Sequence, residues 1–229
     1  LAYSYNGPAG TRWLSYLSFT LPFEVAAWKL AAALPFKLVN LIIHGINAIL
    51  VFAVLRALLK LHYKNPPYLA LYAFALSVAW ALHPAHASTV LYSVQRMTLL
   101  ATSAVLLGLL FHMAFIARQQ QSVTSKAWLF YTFCIWFITA AGILCKESAV
   151  LLPLYIMVCL TLMPQRVFSR FQYAFTLILP YLMLLAYLLY KQQLGFGGRD
   201  FSMGERLLSQ IIIVKEYLFK IASPSFNSF

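Results

Sequence analysis

Trp80-Ala81-Leu82-His83-Pro84-Ala85-His86-Ala87-Ser88-Thr89-Val90-Leu91-Tyr92-Ser93-Val94-Gln95-Arg96-Met97-Thr98 separates two runs of sequence apolar enough to cross a bilayer. Within it lie two histidines, a proline that interrupts helix, several hydroxyls and one arginine. A simple connecting loop has no need of those groups, so they predict polar chemistry held at a membrane surface. Charge breaks the apolar pattern again, with no long loop around it, at Cys145-Lys146-Glu147-Ser148. Both interruptions are expected to face the same side, which makes the fold an all-α polytopic membrane bundle with a polar site at one end.

Composition agrees with that reading. Apolar residues fill 62% of 229 positions, charged residues 10%, and the mean hydropathy is +0.79, which excludes an ordinary soluble domain. No charged segment with a short apolar stretch and cleavage site follows Leu1, so no signal peptide is read there, and the chain is expected to be a piece of something longer. Cys134, Cys145 and Cys159 lie in or beside apolar runs without metal-ligand spacing and read as small apolar fillers. The net charge of +12 does not point to nucleic acid, because the 17 lysines and arginines are scattered between apolar runs and form no single basic face.

Working outward, the bundle is expected over residues 36–190. About six transmembrane helices fall at 36–60, 68–82, 97–117, 127–144, 149–163 and 171–190, the second and fifth short for a hydrocarbon core of about 30 Å. Residues 1–35 read as an external or interfacial segment: turn-rich at Asn6-Gly7-Pro8-Ala9-Gly10, aromatic around Trp13, Tyr16 and Phe19, and broken by Pro22 and Pro35. Residues 191–229 read as an external loop, flexible at Gly195, Gly197 and Gly198, followed by an amphipathic surface helix that ends at Pro224. In the first span Lys37, Asn40, His44 and Asn47 share one helical face. Such a stripe looks into the bundle or a hydrated cavity, or else serves only as interhelical hydrogen bonding.

Loop charge orients the spans. Arg56, Lys60, Lys64, Arg118, Lys126, Arg166 and Arg170 collect on one side, which the positive-inside rule makes cytoplasmic. The other side carries both terminal segments, the 83–96 stretch and every acid of the chain: Glu24, Glu147, Asp200, Glu205 and Glu216. The polar site is therefore expected to face outward.

His83 and His86, at i and i+3, are either two groups facing one ligand or anion or two caps at a helix end. A structural metal is not expected, since no further ligand lies near them. Arg96 and Lys146 stand at outer span ends without neighbouring charge runs. They read as a phosphate grip at headgroup depth, against the alternative of snorkelling to ordinary lipid. No glycine-rich nucleotide loop, no Ser/His/Asp set and no paired carboxylates occur.

Five segments taken together carry a resemblance: Arg12 with Leu14-Ser15-Tyr16-Leu17-Ser18-Phe19, Asn40-Leu41-Ile42-Ile43-His44, His83-Pro84-Ala85-His86, Gln95-Arg96, and Cys145-Lys146-Glu147-Ser148. In this order and spacing they resemble the membrane half of the GT-C glycosyltransferases, most of all the protein O-mannosyltransferase relatives that carry tetratricopeptide repeats. The resemblance spans residues 11–160. It implies an integral enzyme of a bacterial inner membrane that moves a sugar from a polyprenyl-phosphate donor to a hydroxyl of a protein or glycan on the periplasmic face; no cofactor is identified and a divalent metal is not expected. It implies that Arg96, Lys146, His83, His86 and Arg12 hold the departing lipid phosphate. The aspartate that acts as base in that family has no counterpart here, because no acid precedes Glu24; it is expected upstream of Leu1. No tetratricopeptide repeat follows in these residues. Two other readings compete: a transporter or flippase for a lipid-linked anion, with the Lys37-Asn40-His44-Asn47 stripe lining its path, and a non-catalytic membrane scaffold.

Overall fold

The computed structural model describes residues 12–26, 34–63, 67–118, 123–161, 168–183, 186 and 203–222, and these are helical with short turns and no strand among them. In chain order the helices are α1 (Trp13–Ala26), α2 (Leu34–His62), α3 (Leu69–Ala81), α4 (His86–Leu91), α5 (Arg96–Arg118), α6 (Ser125–Ile143), α7 (Leu152–Thr161), α8 (Arg170–Tyr173) and α9 (Met203–Ala222). A 3₁₀ turn, Ser93–Gln95, leads into α5, another, Glu147–Leu151, leads into α7, and a π turn, Ala174–Ile178, continues α8.

Three stretches are long and apolar enough to cross a membrane: Leu34–Leu61, Ser93–Arg118 and Ser125–Ile143, of 28, 26 and 19 residues. At about 1.5 Å per residue each reaches or approaches the roughly 30 Å of a hydrocarbon core. The stretch read as a second span is the 13-residue α3, about 20 Å long, and the fifth is the apolar helix Glu147–Thr161. Tyr68, in the left-handed backbone region after two prolines, opens α3, and the turn at His83-Pro84 closes it, so its length is limited at both ends. The sixth begins at Arg170 and is followed through 183; residues 187–190 lie outside the described part.

The proline breaks expected before residue 36 are corrected. Pro22 lies inside α1, and Pro35 sits in the first turn of α2. A first-turn proline forfeits no helical bond, because its missing N–H has no partner there in any helix. Pro22 does forfeit one: it leaves the carbonyl four residues back, that of Ser18, without a helical donor. The turn at 6–10, the glycines at 195–198 and Pro224 lie outside the described residues.

The distribution of polarity is inside out. Arg96, Asn40 and Asn47 are fully buried, whereas Ile42, Ile49, Phe133 and Phe137 are each more than 60% exposed. Hydrocarbon on the outside and hydrogen-bonding groups on the inside is the arrangement a lipid-solvated bundle requires, since lipid offers no partner to a polar side chain.

Helices α2 and α5 run side by side in the same direction. Asn40 meets Arg96 and Asn47 meets Ser103, the same offset two turns apart. Helices α3 and α6 return antiparallel against α2 and α5 respectively, through the His44–Trp80 stack and the His112–Tyr131 hydrogen bond of 2.7 Å. The Glu147–Leu151 turn and α7 wedge against α5 and α6 because Gly108 and Gly142 leave room for Leu152 and Ala149. Small residues at such crossings let backbones approach where the hydrophobic effect offers no drive between helices.

On α6, Trp128, Thr132 and Trp136 present one face, and all three bond Thr176. The Trp128 indole donates to the Thr176 hydroxyl (3.1 Å), Thr132 shares a bond with that hydroxyl (2.8 Å), and the Trp136 indole donates to the Thr176 carbonyl (2.9 Å). That carbonyl lies in the π turn, whose wider ladder disturbs the ordinary α-helical pairing. Helix α9 carries an apolar surface that is exposed from 208 to 219, with Lys215 and Glu216 in its polar stripe.

Candidate functional site at one end of the bundle

The N-terminal half of α2, the C-terminal end of α3, the N-terminal end of α5 and the C-terminal end of α6 meet at one end of the bundle. The two interruptions of apolar sequence, 83–98 and 145–148, therefore come together there.

Arg96 stands at the first turn of α5, wholly enclosed. Its Nε donates to Asn40 Oδ1 (3.0 Å), Nη1 to the Ser18 carbonyl (2.7 Å) and Nη2 to the Phe36 carbonyl (3.1 Å). The Ser18 carbonyl is the one released by Pro22, so a proline in α1 creates the acceptor that Arg96 uses. The rings of Phe19 and Phe36 lie 4.6 and 5.5 Å from the guanidinium carbon, giving the cation π faces in place of water. Asn40 completes the junction by donating to the carbonyls of Val90 and Tyr92 at the end of α4. Arg96 is thus a strut joining α1, α2 and α5. The guanidinium is enclosed and held by three protein oxygens, a setting unlike the expected grip on a donor phosphate at headgroup depth.

His83 and His86, expected beside the donor phosphate, stand in an aromatic cluster with Trp80 and His44. His86 packs its ring 4.4 Å from Trp80, 5.3 Å from His44 and 6.4 Å from His83. Burial, then the neighbouring His44 and His83, push its imidazole down from 6.5 to about 4, so it is neutral at pH 7 and offers no cation to an anion. The Ala85 N–H donates to His83 Nδ1 (3.2 Å), so His83 Nε2 carries the proton and donates to the Ile221 carbonyl of α9 (3.3 Å). His44 donates from Nε2 to the Ala81 carbonyl (3.0 Å), one of the last four of α3, which have no helical partner. Its Nδ1 is left a buried acceptor without a hydrogen bond among the described residues.

A pH dependence follows with a definite sign. Between pH 6.5 and about 4 the unfolded chain binds a proton at position 86 that the folded chain refuses, so stability falls as pH drops through that window and levels off below it. Thermal unfolding in detergent from pH 7.5 to 3.5 is expected to show this decline, and His86→Phe to flatten it. An unchanged slope in the variant would remove His86 as the cause.

Of the stripe on α2, Asn40, His44 and Asn47 are buried, and Lys37 is exposed. Asn47 donates to the Leu99 carbonyl (3.0 Å) and accepts from Ser103 (2.7 Å). The three buried members are spent on neighbouring helices.

Lys146 has a different setting. It stands half-buried and extended before the 3₁₀ turn, and its Nζ donates to the Thr98 hydroxyl (2.6 Å), which donates in turn to Gln95 Oε1 (2.7 Å). An ammonium has three donors, and this one meets a single neutral acceptor among the described residues. Beside it Arg12 forks onto Glu147 at 2.7 to 3.0 Å, with Nη1 also 3.9 Å from Met97 Sδ. Burial pushes the Glu147 carboxyl up, but the hydrogen bonds from Arg12 and its own backbone, with the charges of Arg12 and Lys146, outweigh it and hold the group below its usual range. Both partners of this ion pair are substantially exposed, which limits it to about 0–1 kcal/mol. Arg12 is therefore taken up by a carboxylate, and Lys146 is the cation of this end left to a hydroxyl.

An apolar groove of about 360 Å³ opens next to this corner. Thr102, one turn below Thr98, and Ser148, two residues after Lys146, line it together with Trp80, Val105, Leu106 and Tyr155. No group of three His, Cys, Asp or Glu side chains able to hold a metal occurs among the described residues. Glu24 lies in α1, and nothing is described of its side chain.

Neither a protein-family model, nor a curated protein, nor a solved structure matches the chain. The chemistry of this end rests on its own residues.

Thr98, Gln95 and Trp80 belong to the site although their residue types alone do not mark them. Thr98 could have been found by its place beside Arg96 on the first turn of α5. The buried His112–Tyr131 pair deep in α5 and α6 had no such signal, being one polar group in each of two apolar runs.

Proposed function

We propose that the chain is the membrane part of a glycosyltransferase that moves a sugar from a polyprenyl-phosphate donor to an acceptor hydroxyl of a protein or glycan. In this reading its apolar helices form six spans of a bacterial inner membrane, and the Lys146 end faces the periplasm. The observation that carries it is the corner of the bundle where the Lys146 ammonium, bonded among the described residues to Thr98 alone, adjoins an apolar groove edged by hydroxyls. That is the chemistry of an amphiphile with an anionic head. The donor's phosphate meets the ammonium, its chain lies in the groove, and the cation steadies negative charge that grows on the phosphate as the glycosidic bond breaks. Arg12 acts indirectly, by taking the Glu147 carboxylate into an ion pair beside Lys146.

The transporter reading is the less favoured one, since Asn40, His44 and Asn47 spend their polar groups on neighbouring helices. The test is transfer of labelled hexose from polyprenyl-phosphate donors by the protein as it occurs in its membrane. Lys146→Ala is expected to lower the rate by about 10²–10³, as loss of one charge-stabilising group does, with elution profile and melting temperature unchanged. Equal rates in wild type and Lys146→Ala, or no transfer by either, leave a scaffold.

A further inference from the structure

At the opposite end of the bundle lies a cleft of about 430 Å³ between α7 and the α8–π segment, and we propose that it is a binding site for one anionic glycerophospholipid. Its headgroup would be held by Arg170 and one acyl chain laid against Met157, Leu160, Leu177 and Ile178. The volume falls in the roughly 300–1,000 Å³ range of small-molecule sites.

The cleft is a built feature of the fold. Its inner wall is pinned by Phe168, buried, which stacks on Phe115 at 5.8 Å and also touches the rings of Tyr131 (4.9 Å) and Tyr173 (5.2 Å). The Ser169–Gln172 capping box then fixes the direction in which α8 leaves, so Arg170 is presented at the mouth. The Arg170 side chain is exposed and makes no hydrogen bond or ion pair with another described residue.

Charge selects the occupant. The helix ends that gather here carry Arg56, Lys60, Arg118, Lys126 and Arg170, and none of α2, α5, α6, α7 and α8 contributes an acid at this end. A second copy of the chain approaching in the same membrane would bring a like-charged end against this one. A lone guanidinium over an apolar cleft between helices instead complements a lipid phosphate with its chain below, the arrangement by which basic interhelical pockets take anionic lipids. The site lies apart from the Lys146 corner and does not depend on the transferase reading.

Native mass spectrometry of the full chain, released from detergent micelles with phosphatidylglycerol or with phosphatidylcholine of the same acyl chains, tests this. Wild type is expected to retain one phosphatidylglycerol roughly fivefold more tightly than phosphatidylcholine, the preference one surface cation confers. Arg170→Ala removes that preference, Arg118→Ala and Lys126→Ala keep it, and Ala174→Phe, which fills the cleft below an intact Arg170, weakens retention of both lipids. Equal retention of the two lipids by wild type overturns the proposal, as does a preference that survives Arg170→Ala. Full retention in Ala174→Phe puts the chain elsewhere and overturns it as well.

Discussion

Arg96→Ala is expected to yield protein that aggregates or melts at least about 8 °C lower than wild type in detergent, before any question of activity arises. The substitution strips the donor from the Ser18 and Phe36 carbonyls and from Asn40 Oδ1, all at a buried junction of three helices. Hydrogen bonds to a charged group contribute about 1.5–3 kcal/mol each, and an enclosed acceptor left bare costs about 1–3 kcal/mol. Even with partial relaxation the loss is about 4 kcal/mol, against a total stability of about 5–15 kcal/mol. For a chain of this size that corresponds to about 8–16 °C. Arg96→Lys separates a strut from a charge. Lysine keeps the charge that a phosphate grip needs but lacks the planar fork that reaches three oxygens, so it too is expected to melt well below wild type. An Arg96→Ala protein that elutes as a single species and melts within 2 °C of wild type would show that the junction does not depend on the guanidinium.

The second large effect is expected at Gly142. A β-carbon there would stand 2.6 Å from the Ala149 β-carbon and 3.0 Å from that of Ala104. Both neighbours are fixed to backbone, so no rotamer change relieves the contact. The roughly 1 kcal/mol that alanine gains over glycine in a helix is outweighed by overpacking of about 1–3 kcal/mol or more. Relief has to come from shifting the Glu147–Leu151 turn, which carries Lys146 at its head. Gly142→Ala is therefore expected to lower both the melting temperature and hexose transfer. At Gly108 the nearest atoms to such a β-carbon all belong to the Leu152 side chain, which is not fixed to backbone as the Ala149 β-carbon is, so Gly108→Ala is expected to cost less. Gly45→Ala meets nothing within 4 Å and is expected to be neutral or stabilising by up to about 1 kcal/mol. Any other ranking of the three melting temperatures contradicts this account of how the turn is seated.

The neutral His86 and the enclosed Arg96 show where reading the chain as a string of residue types goes astray. A cation at a span end looks the same in sequence whether it meets lipid phosphate or backbone oxygen. What separates Arg96 from Lys146 is the company supplied by distant segments: Ser18, Phe19, Phe36 and Asn40 enclose the first, whereas the second is half-buried and bonds Thr98 alone among the described residues. Pro22 was a usable clue. A proline within a helix frees the carbonyl four residues earlier, and Ser18 stands at that position; which donor would find it was not legible.

Alone, the sequence determined that the chain would be helical and apolar enough for a membrane, with spans expected at 36–60, 97–117 and 127–144 where the structure has its three long apolar stretches, and that polar groups would cluster where apolar runs are interrupted. Those properties are local: an apolar run of sufficient length has to satisfy its own backbone within one helix, whatever surrounds it. Only the tertiary structure decided which polar groups are consumed and which are left to act. A hydrogen bond between Arg96 and a carbonyl 78 residues earlier, or a turn admitted by the missing side chain of Gly142, depends on how helices cross, and crossing geometry is set by packing between segments that carry no record of one another.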